Sequence, residues 1–453
     1  MENLQVHILS SKLIKPSNST PHHLQNFKLS LFDQLAPPMY SHILFYYLPV
    51  EDSCNRGKNN VQISLLLEKS LSQVLTKFYP LAGRFVKDDL LIHCADQGVE
   101  YFEANVNAQL LGFIQKQPAD TDVLSRFLPW DFPPAANSAT SPLLAIQINK
   151  FECGGFVLGL RVSHVIADAF SMITFIKEWA SLCSSDLKDM NQVISTQLSS
   201  YNDFVSVFPT RILSGPKFPP PGAANSADQV ITKSFLFNEA IVTKMAETAD
   251  FHPTRVVVVL ASIWKALIGV SLAKHGRSRD SDIALSMNLR GKTALAMPEI
   301  SCGNFWISVL VPLEAKRAEK MELKELMILI QDTIKSTAEQ LALATADDIS
   351  TMLINSRREI FEKRHLSGNE VDVYICTSWC RLPVYDVDFG MGKPCWVSHA
   401  SKPFEGVALL DGKTGTGIEA WISLKQKEMI EFNRQLESME PMLADKSDKN
   451  VNH

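Results

Sequence analysis

The sequence predicts an α/β protein of mixed α+β type that is built from two domains. A chain of 453 residues is long enough for about two to four domains of ordinary size. Residues 215–226, GPKFPPPGAANS, are rich in proline, glycine, alanine and serine, which is typical of a linker. Runs with the spacing of strands and of helices occur on both sides of it. We therefore expect an N-terminal domain over residues 1–214 and a C-terminal domain over residues 215–453.

In the first half, a predicted strand leads directly into a predicted helix. Phe156–Ser163, FVLGLRVS, is a short apolar run of the kind that forms a buried strand. Ala167–Cys183 follows, with apolar residues at helical spacing. His164 lies at the end of the strand and Asp168 at the opening of the helix. A histidine there can project into a cleft, and its ordinary pKa of about 6.5 suits it to take a proton near neutral pH.

The second half also mixes helices and strands. Its predicted elements are a helix over Val256–Leu267 with Thr254 as N-cap, an amphipathic helix over Glu322–Ala342, a strand ending near Thr377–Trp379, and a hairpin of Gly406–Leu410 and Ile418–Leu424 around the turn DGKTGTG. Both halves therefore contain the elements of a sheet covered by helices.

Composition and charge exclude several classes of protein. Hydrophobic residues make up 46% of the chain and charged residues 21%, which excludes a disordered, collagen-like or coiled-coil protein. The chain has 44 Lys and Arg against 49 Asp and Glu, so its net charge is −5. It lacks the basic surface that a nucleic-acid binder needs. We expect a small-molecule or protein partner and no nucleic acid.

Targeting and metal-binding signals also point away from membranes and metals. The longest apolar stretch, Val256–Trp264, is shorter than the roughly 20 residues of a spanning helix. Glu2 and Lys12 do not fit a signal peptide. The eight cysteines are scattered and lack the spacing of a zinc site, so we expect reduced thiols. The sequence predicts a cytoplasmic protein that binds no membrane and no metal.

Common catalytic motifs are absent. The chain has no Gly-x-Ser-x-Gly of a serine hydrolase and no His-Glu-x-x-His of a zinc protease. Gly412-Lys413-Thr414 resembles the end of a P-loop, but it lies between two predicted strands and not before a helix. His164 and Asp168 remain as the candidates for chemistry.

Asp168 allows two interpretations on the pattern alone. It can orient the imidazole of His164, as the third member of a catalytic triad does. Alternatively, it can cap the helix or pair with an arginine, and so hold the loop that carries His164. The residues by themselves leave both open.

Two short motifs resemble those of one enzyme family. HVIAD, which contains His164 and Asp168, resembles the His-x-x-x-Asp motif of the plant BAHD acyl-CoA-dependent acyltransferases, and DFGMG at Asp388–Gly392 resembles their Asp-Phe-Gly-Trp-Gly signature. Further family-like segments follow in the expected order: Leu29–Leu35, Phe78–Arg84, Asn288–Lys292, Thr377–Gly390 and Gly417–Leu424. The resemblance covers almost the whole chain. It is closest to the branch that contains vinorine synthase and other alkaloid O-acetyltransferases, which share the segment FECGG. Ser163, in place of a second histidine, counts against the related condensation domains of peptide synthetases.

The resemblance implies a fold of two chloramphenicol-acetyltransferase-like domains, each a mixed sheet with helices, and a solvent channel between them. It also implies that a segment near residues 388–410 returns to complete the sheet of the N-terminal domain. The family tryptophan of the second motif is replaced by Met391. Because methionine is flexible and apolar, we expect a modest loss of stability and retained activity.

The activity implied by the resemblance is an acyl-CoA-dependent O-acyltransferase, EC 2.3.1. It would move acetyl from acetyl-CoA to a hydroxyl of a plant specialised metabolite such as an alkaloid, in a direct ternary-complex mechanism with His164 as general base. Acyl-CoA is then a co-substrate, no cofactor is tightly bound, and the enzyme is a monomer. The alternatives are a bulkier acyl group, an amine acceptor, or an inactive relative that binds a metabolite.

The family also suggests roles for other residues. Asp168 would pair with Arg290 and support the loop, while Thr377 and Trp379 would line the reaction centre and donate to the oxyanion; ordinary strand packing is the alternative for the last two. Asp388, Gly390 and Gly392 form the structural motif, to which the segment of Arg290 also belongs. Thr254 and Arg255 at a predicted helix start are candidates for the coenzyme A phosphates, with plain capping and a solvated charge as the alternative.

Overall fold

The computed structural model describes residues 4–49, 56–116, 121–129, 140–188, 203–212, 230–295, 297, 302–366, 370–400, 405–413 and 415–439. The linker predicted at residues 215–226 lies outside these ranges.

Strands and helices are interspersed along the chain. The strands are β1 (Val6–Ile14), β2 (Asn26–Lys28), β3 (Tyr40–Tyr47), β4 (Arg84–Val86), β5 (Leu91–His93), β6 (Val99–Val106), β7 (Leu144–Phe151), β8 (Phe156–Ser163), β9 (Val230–Phe237), β10 (Asp280–Asn288), β11 (Trp306–Val311), β12 (Val371–Ser378), β13 (Trp396–Ser398), β14 (Gly406–Asp411) and β15 (Ile418–Lys425). The helices are α1 (Leu31–Gln34), α2 (Arg56–Lys77), α3 (Leu110–Gln115), α4 (Thr121–Ser125), α5 (Ala169–Lys188), α6 (Asp203–Val207), α7 (Glu239–Ala246), α8 (Arg255–His275), α9 (Ala315–Ala318), α10 (Leu323–Leu343), α11 (Ala346–His365) and α12 (Gln426–Ser438).

The chain forms two compact units, and each is discontinuous in sequence. The first unit contains residues 1–224, 295–306 and 382–402, and the second contains residues 225–294, 307–381 and 403–453. The boundary predicted between residues 214 and 215 falls in 213–229, outside the described residues.

The first unit is built on a sheet with the strand order β1-β6-β7-β8-β3-β13. Strands β6 and β7 are parallel and the other neighbours are antiparallel. Every residue of β8 is buried, which explains why its sequence is mostly apolar. Helix α5 packs against α2. The buried strand β8 therefore ends at a well-supported position, immediately before His164.

The second unit is built on a sheet with the order β11-β10-β12-β14-β15-β9. The pairs β10–β12 and β12–β14 are parallel, and the predicted hairpin β14–β15 is found as an antiparallel pair. Helix α8 packs against α10 and α12. It is long and apolar enough to cross a membrane by length and composition, but most of its apolar stretch is buried inside the protein, as in a core helix.

A late segment of the chain completes the sheet of the first unit. In β13, Trp396 pairs with Tyr46 and Ser398 with Leu44, both in β3. The return was predicted over residues 388–410, but the first unit takes residues 382–402, and β14 lies in the second sheet. The predicted range was therefore too long at its C-terminal end. The second return, at residues 295–306, was not predicted.

Candidate active site

His164 follows β8 directly and is held by its backbone and by its ring. Its N–H donates to the carbonyl oxygen of Met39 at 2.8 Å. The ring is partly exposed and lies 5.9 Å from the Trp306 ring, measured between centroids. Its Nδ1 lies 3.0 Å from Oδ1 of Asn304. The imidazole is thus oriented by a side chain that comes 140 residues later in the chain.

Asn304 is fully buried, and its amide group contacts several polar groups. Its Nδ2 donates to Oδ1 of Asp33 at 2.9 Å and to the carbonyl oxygen of His164 at 2.8 Å. Its Oδ1 accepts from the indole Nε1 of Trp306 at 3.3 Å, besides its contact with His164. A buried amide whose donors and acceptor are all engaged is held in one orientation.

Asp33 supports this amide from helix α1. Its Oδ1 accepts from the backbone N–H of Asn304 at 3.0 Å as well as from Nδ2. Its Oδ2 accepts from the N–H and hydroxyl of Ser30, at 3.0 and 2.7 Å, and forms a capping box with that residue. Burial raises the pKa of Asp33, and the hydrogen bonds from Ser30 and Asn304 oppose that rise. The carboxylate therefore joins a helix start to the side chain that orients His164.

Asp168 is the N-cap of helix α5. Its Oδ1 accepts from the N–H and the hydroxyl of Ser171, both at 2.9 Å, and its carbonyl oxygen accepts from the N–H of Met172. Its Oδ2 accepts from the N–H of Phe305 at 3.0 Å. The carboxylate thus joins the helix after the His164 loop to residues 303–306. The pairing with Arg290 stays a prediction.

Three successive backbone N–H groups of residues 303–305 donate to three side chains. The acceptors are the hydroxyl of Ser171, at 3.0 Å, and the carboxylates of Asp33 and Asp168. Gly303 has a φ of 125°, a conformation that other residues rarely adopt. A Cβ at Gly303 would also lie 3.1 Å from the ring of Phe204. A glycine is therefore needed for the three N–H groups to reach their acceptors.

An aromatic cluster packs the same segment on its apolar side. The Phe305 ring lies 4.9 Å from Phe204, 5.3 Å from Phe32 and 5.7 Å from Phe208. All four side chains are buried. Polar and apolar contacts together immobilise the residues that flank Asn304.

Known proteins match this chain along nearly its whole length. A family model described as the Transferase family matches residues 4–439. The chain belongs to this family, the BAHD acyltransferases. The resemblance to the BAHD family that the sequence predicted is therefore confirmed.

Two relatives illustrate the chemistry of the BAHD proteins that this chain resembles. It is 33% identical over 454 residues to the acetyl-CoA-benzylalcohol acetyltransferase of Clarkia breweri, covering 95% of this chain and 98% of the relative. It is 32% identical to the stemmadenine O-acetyltransferase of Catharanthus roseus, covering 94% and 95%. The chain is accordingly an acyltransferase, EC 2.3.1, with acyl-CoA as its co-substrate.

Solved BAHD-type structures share the fold. The crystal structure of vinorine synthase superposes with a TM-score of 0.80 at 29% identity, covering 96% of this chain and 98% of that one. The F. sporotrichioides TRI101 structure, complexed with coenzyme A and T-2, has a TM-score of 0.69 at 18% identity and shows the fold alone. The predicted α/β class with two sheet-rich domains is confirmed.

The second BAHD motif forms a turn in the first unit. Oδ1 of Asp388 accepts from the N–H groups of Gly390 at 2.7 Å and Gly392 at 2.9 Å. Both glycines have positive φ values, 88° and 96°. The hydroxyl of Tyr47 in β3 donates to the carbonyl oxygen of Val387 at 2.9 Å, which holds the turn against the sheet. These contacts are those of a scaffold, and the modest effect expected of Met391 stays a prediction.

The other BAHD candidates lie in the second unit. Thr377 is in β12, where it pairs with Ala408, and Trp379 is buried just after that strand. The backbone N–H and Nη1 of Arg290 both donate to Oδ1 of Asn288, at 3.1 and 3.2 Å. A role of Thr377 and Trp379 in lining the reaction centre stays a prediction.

Thr254 and Arg255 have structural contacts at the start of α8. The hydroxyl oxygen of Thr254 accepts from the N–H of Val257 at 3.3 Å, so the predicted N-cap is present. Arg255 donates to the carbonyl oxygen of Gly415 at 2.6 Å and pairs with Asp411 at 3.1 Å. The arginine is therefore engaged by the β14–β15 hairpin and is not simply a solvated charge. Binding of coenzyme A phosphates by either residue stays a prediction.

Asn304 and Asp33 are the site residues that the sequence analysis missed. Asp33 lies in the family-like segment Leu29–Leu35, so its segment was noticed but its carboxylate was not. Asn304 lies in no recognised motif. Among the described residues, no group of three or more His, Cys, Asp or Glu is placed to hold a metal ion.

Proposed function

We propose that this enzyme transfers acetyl from acetyl-CoA to a hydroxyl group of a plant specialised metabolite, such as an alkaloid alcohol, with His164 as the general base. The donor is supported by the names of the relatives, which use acetyl-CoA on benzyl alcohol or acetylate stemmadenine. An alkaloid acceptor is supported by the similarity to stemmadenine O-acetyltransferase and to a poppy acetyltransferase of a dihydroxy-N-methylcanadine.

The placement of His164 is the observation that carries the proposal. The ring is partly exposed at the end of a fully buried strand, and Nδ1 is held by Asn304. A general base needs one nitrogen anchored and the other turned toward the substrate. The contact with Asn304 anchors one nitrogen of His164, and we propose that the other nitrogen, Nε2, faces the acceptor hydroxyl.

The reaction needs no covalent enzyme intermediate, because a thioester is already activated. The base takes the proton of the acceptor hydroxyl as its oxygen attacks the thioester carbonyl carbon, and the carbonyl electrons move onto oxygen. The tetrahedral intermediate then collapses, the carbon–sulfur bond breaks, and the imidazolium returns the proton to the coenzyme A thiolate. We propose Thr377 and Trp379 as the donors to the oxyanion.

Incubation of the purified protein with acyl-CoA donors and acceptors tests the proposal. Acetyl-CoA with a panel of alcohols, including benzyl alcohol and alkaloid alcohols, should release free thiol only when an acceptor is present. Longer acyl-CoA donors and amine acceptors should react more slowly. No thiol release with any pair would instead support a relative that only binds a metabolite.

His164→Ala should lower kcat by about 10²–10⁴-fold, because general-base catalysis typically contributes that much. His93→Ala, at an exposed position of β5, is the matched control and should react like the wild type. Activity of His164→Ala within about tenfold of the wild type would show that another group is the base.

A further inference from the structure

We propose, given that His164 is the base as proposed above, that Asp33 and Asn304 are positioning residues that hold His164 as the tautomer protonated on Nδ1. The unprotonated Nε2 is then the nitrogen that receives the substrate proton. Neither residue belongs to the His-x-x-x-Asp motif.

The neighbours of the Asn304 amide fix its orientation. Its Nδ2 faces two oxygens, the carboxylate Oδ1 of Asp33 and the carbonyl of His164, at 2.9 and 2.8 Å. Its Oδ1 faces the indole N–H of Trp306. Turning the amide over would place oxygen against two acceptors and NH₂ against a donor. The network therefore assigns the amide oxygen to the side of His164.

The orientation of the amide decides which nitrogen of the His164 imidazole carries the proton. An amide oxygen only accepts hydrogen bonds, so the contact of 3.0 Å requires Nδ1 of His164 to be the donor. A neutral imidazole carries a proton on one nitrogen, and the hydrogen bond of one nitrogen decides the state of the other. Nε2 consequently keeps the lone pair that a general base needs.

Asp33 presents only acceptors to its neighbours. Its Oδ2 accepts from the N–H and hydroxyl of Ser30, and its Oδ1 accepts from the N–H and Nδ2 of Asn304. It therefore excludes the reversed orientation of the Asn304 amide. Because the capping box of α1 holds the carboxylate, the orientation is set before substrate binds.

Histidine ¹⁵N NMR reports the tautomer directly and needs no activity. Protein labelled with ¹⁵N-histidine is measured at a pH at which the imidazoles are neutral, and the His164 signals are assigned by their loss in His164→Gln. In the wild type, Nδ1 should be protonated and Nε2 unprotonated. A wild-type His164 protonated on Nε2 would overturn the proposal, whatever the variants do.

Two variants test the positioning residues. Asn304→Leu removes the acceptor, and Asp33→Asn introduces a donor that permits the amide to turn over. Both should shift the His164 signals toward the other tautomer and lower kcat by about tenfold or more, with KM for acetyl-CoA little changed; in a serine protease, the analogous loss of the correct tautomer costs about 10⁴-fold. Unchanged His164 signals in both folded variants would contradict the proposal.

Asp96→Asn is the matched control for loss of a structural carboxylate. Asp96 accepts from the N–H and hydroxyl of Thr20, at 3.0 and 2.6 Å, much as Asp33 accepts from Ser30. It should lower the melting temperature without changing the His164 signals or kcat.

The failure of the base assignment can be distinguished from the failure of this proposal. If the wild type shows the expected tautomer but His164→Ala is active, His164 is not the base, and its positioning by Asn304 still holds.

Discussion

At the scale of single residues, substitution of Asp168 distinguishes a structural role in supporting the loop from a role in a catalytic triad. Asp168→Asn keeps a good N-cap for α5, but its amide faces the buried N–H of Phe305, and an unsatisfied buried donor costs about 1–3 kcal/mol. If Asp168 also pairs with Arg290, loss of one partner lowers stability further, because the other charge is left without its counter-ion. We therefore expect a lower free energy of unfolding in urea for Asp168→Asn and for Arg290→Ala.

The double variant completes this test. Residues in contact couple, so the combined loss of stability should be smaller than the sum of the two single losses. The triad alternative would be supported by an Asp168→Asn protein that is as stable as the wild type yet inactive. The losses would then be additive, and the double variant would be as stable as Arg290→Ala alone.

A sequence motif reveals site residues that are close together in the chain, but not those that only folding brings together. His164 and Asp168 are four positions apart, so a local pattern displays both. Asn304 is 140 residues from His164 and 271 from Asp33, and only the folded chain brings the three together. No local spacing encodes such a contact.

At the scale of elements, substitution of Thr254 at the start of α8 distinguishes helix capping from coenzyme binding by this residue. Loss of an N-cap hydroxyl costs about 1 kcal/mol, so Thr254→Ala should lower the free energy of unfolding by that amount and leave KM for acetyl-CoA unchanged. Asn238→Ala at the start of α7 is the matched control, because its side chain accepts from the N–H of Ile241 at 2.9 Å. A raised KM in Thr254→Ala alone would assign the residue to the coenzyme.

Element boundaries were predictable where the sequence pattern is set by burial. β8 has the predicted bounds because all eight of its residues are buried. α8 continues to His275, eight residues beyond the predicted run, although Gly269 lies inside it. A Cβ at Gly269 would lie 2.4 Å from the side chain of Gln435 in α12, so the glycine permits close helix packing and does not end the helix.

At the scale of the whole molecule, one buried and one partly buried histidine make stability depend on pH. His42 lies beside the guanidinium of Arg161, with Nε2 and Nη1 3.2 Å apart, and burial, Arg161 and His399 lower its pKa well below the usual value. Burial alone lowers the pKa of His399 to about 4. Each must therefore be neutral in the folded protein near pH 7.

The direction of this pH dependence follows from the difference in proton binding between the folded and the unfolded chain. Between about pH 4 and 6.5 the unfolded chain protonates these histidines and the folded chain does not, so stability is present above pH 6.5 and is lost as the pH falls. For His399 alone the loss by pH 4 is roughly 3 kcal/mol. Urea unfolding across this range should show a flatter pH dependence in His399→Gln, and no change in His93→Gln. An equally steep dependence in His399→Gln would contradict this.

Two sheet-rich domains were predictable from the strands and helices on either side of the predicted linker, which itself lies outside the described residues. The discontinuity of both units was predictable only in part, because β13 has three residues and no pattern that distinguishes it from a loop. The segment 295–306 carries no strand pattern at all that would assign it to the first unit.

The discontinuity of the first unit has a consequence for how the enzyme is made. At about 5–20 residues per second, a ribosome adds the 140 residues between His164 and Asn304 in roughly ten seconds. Throughout that interval the nascent chain contains His164 without the amide that orients it. For the same reason, a chimaera that exchanges residues 1–224 as one block would combine a histidine from one parent with the Asn304 segment and β13 of the other. Recombination between relatives must move three pieces of chain together.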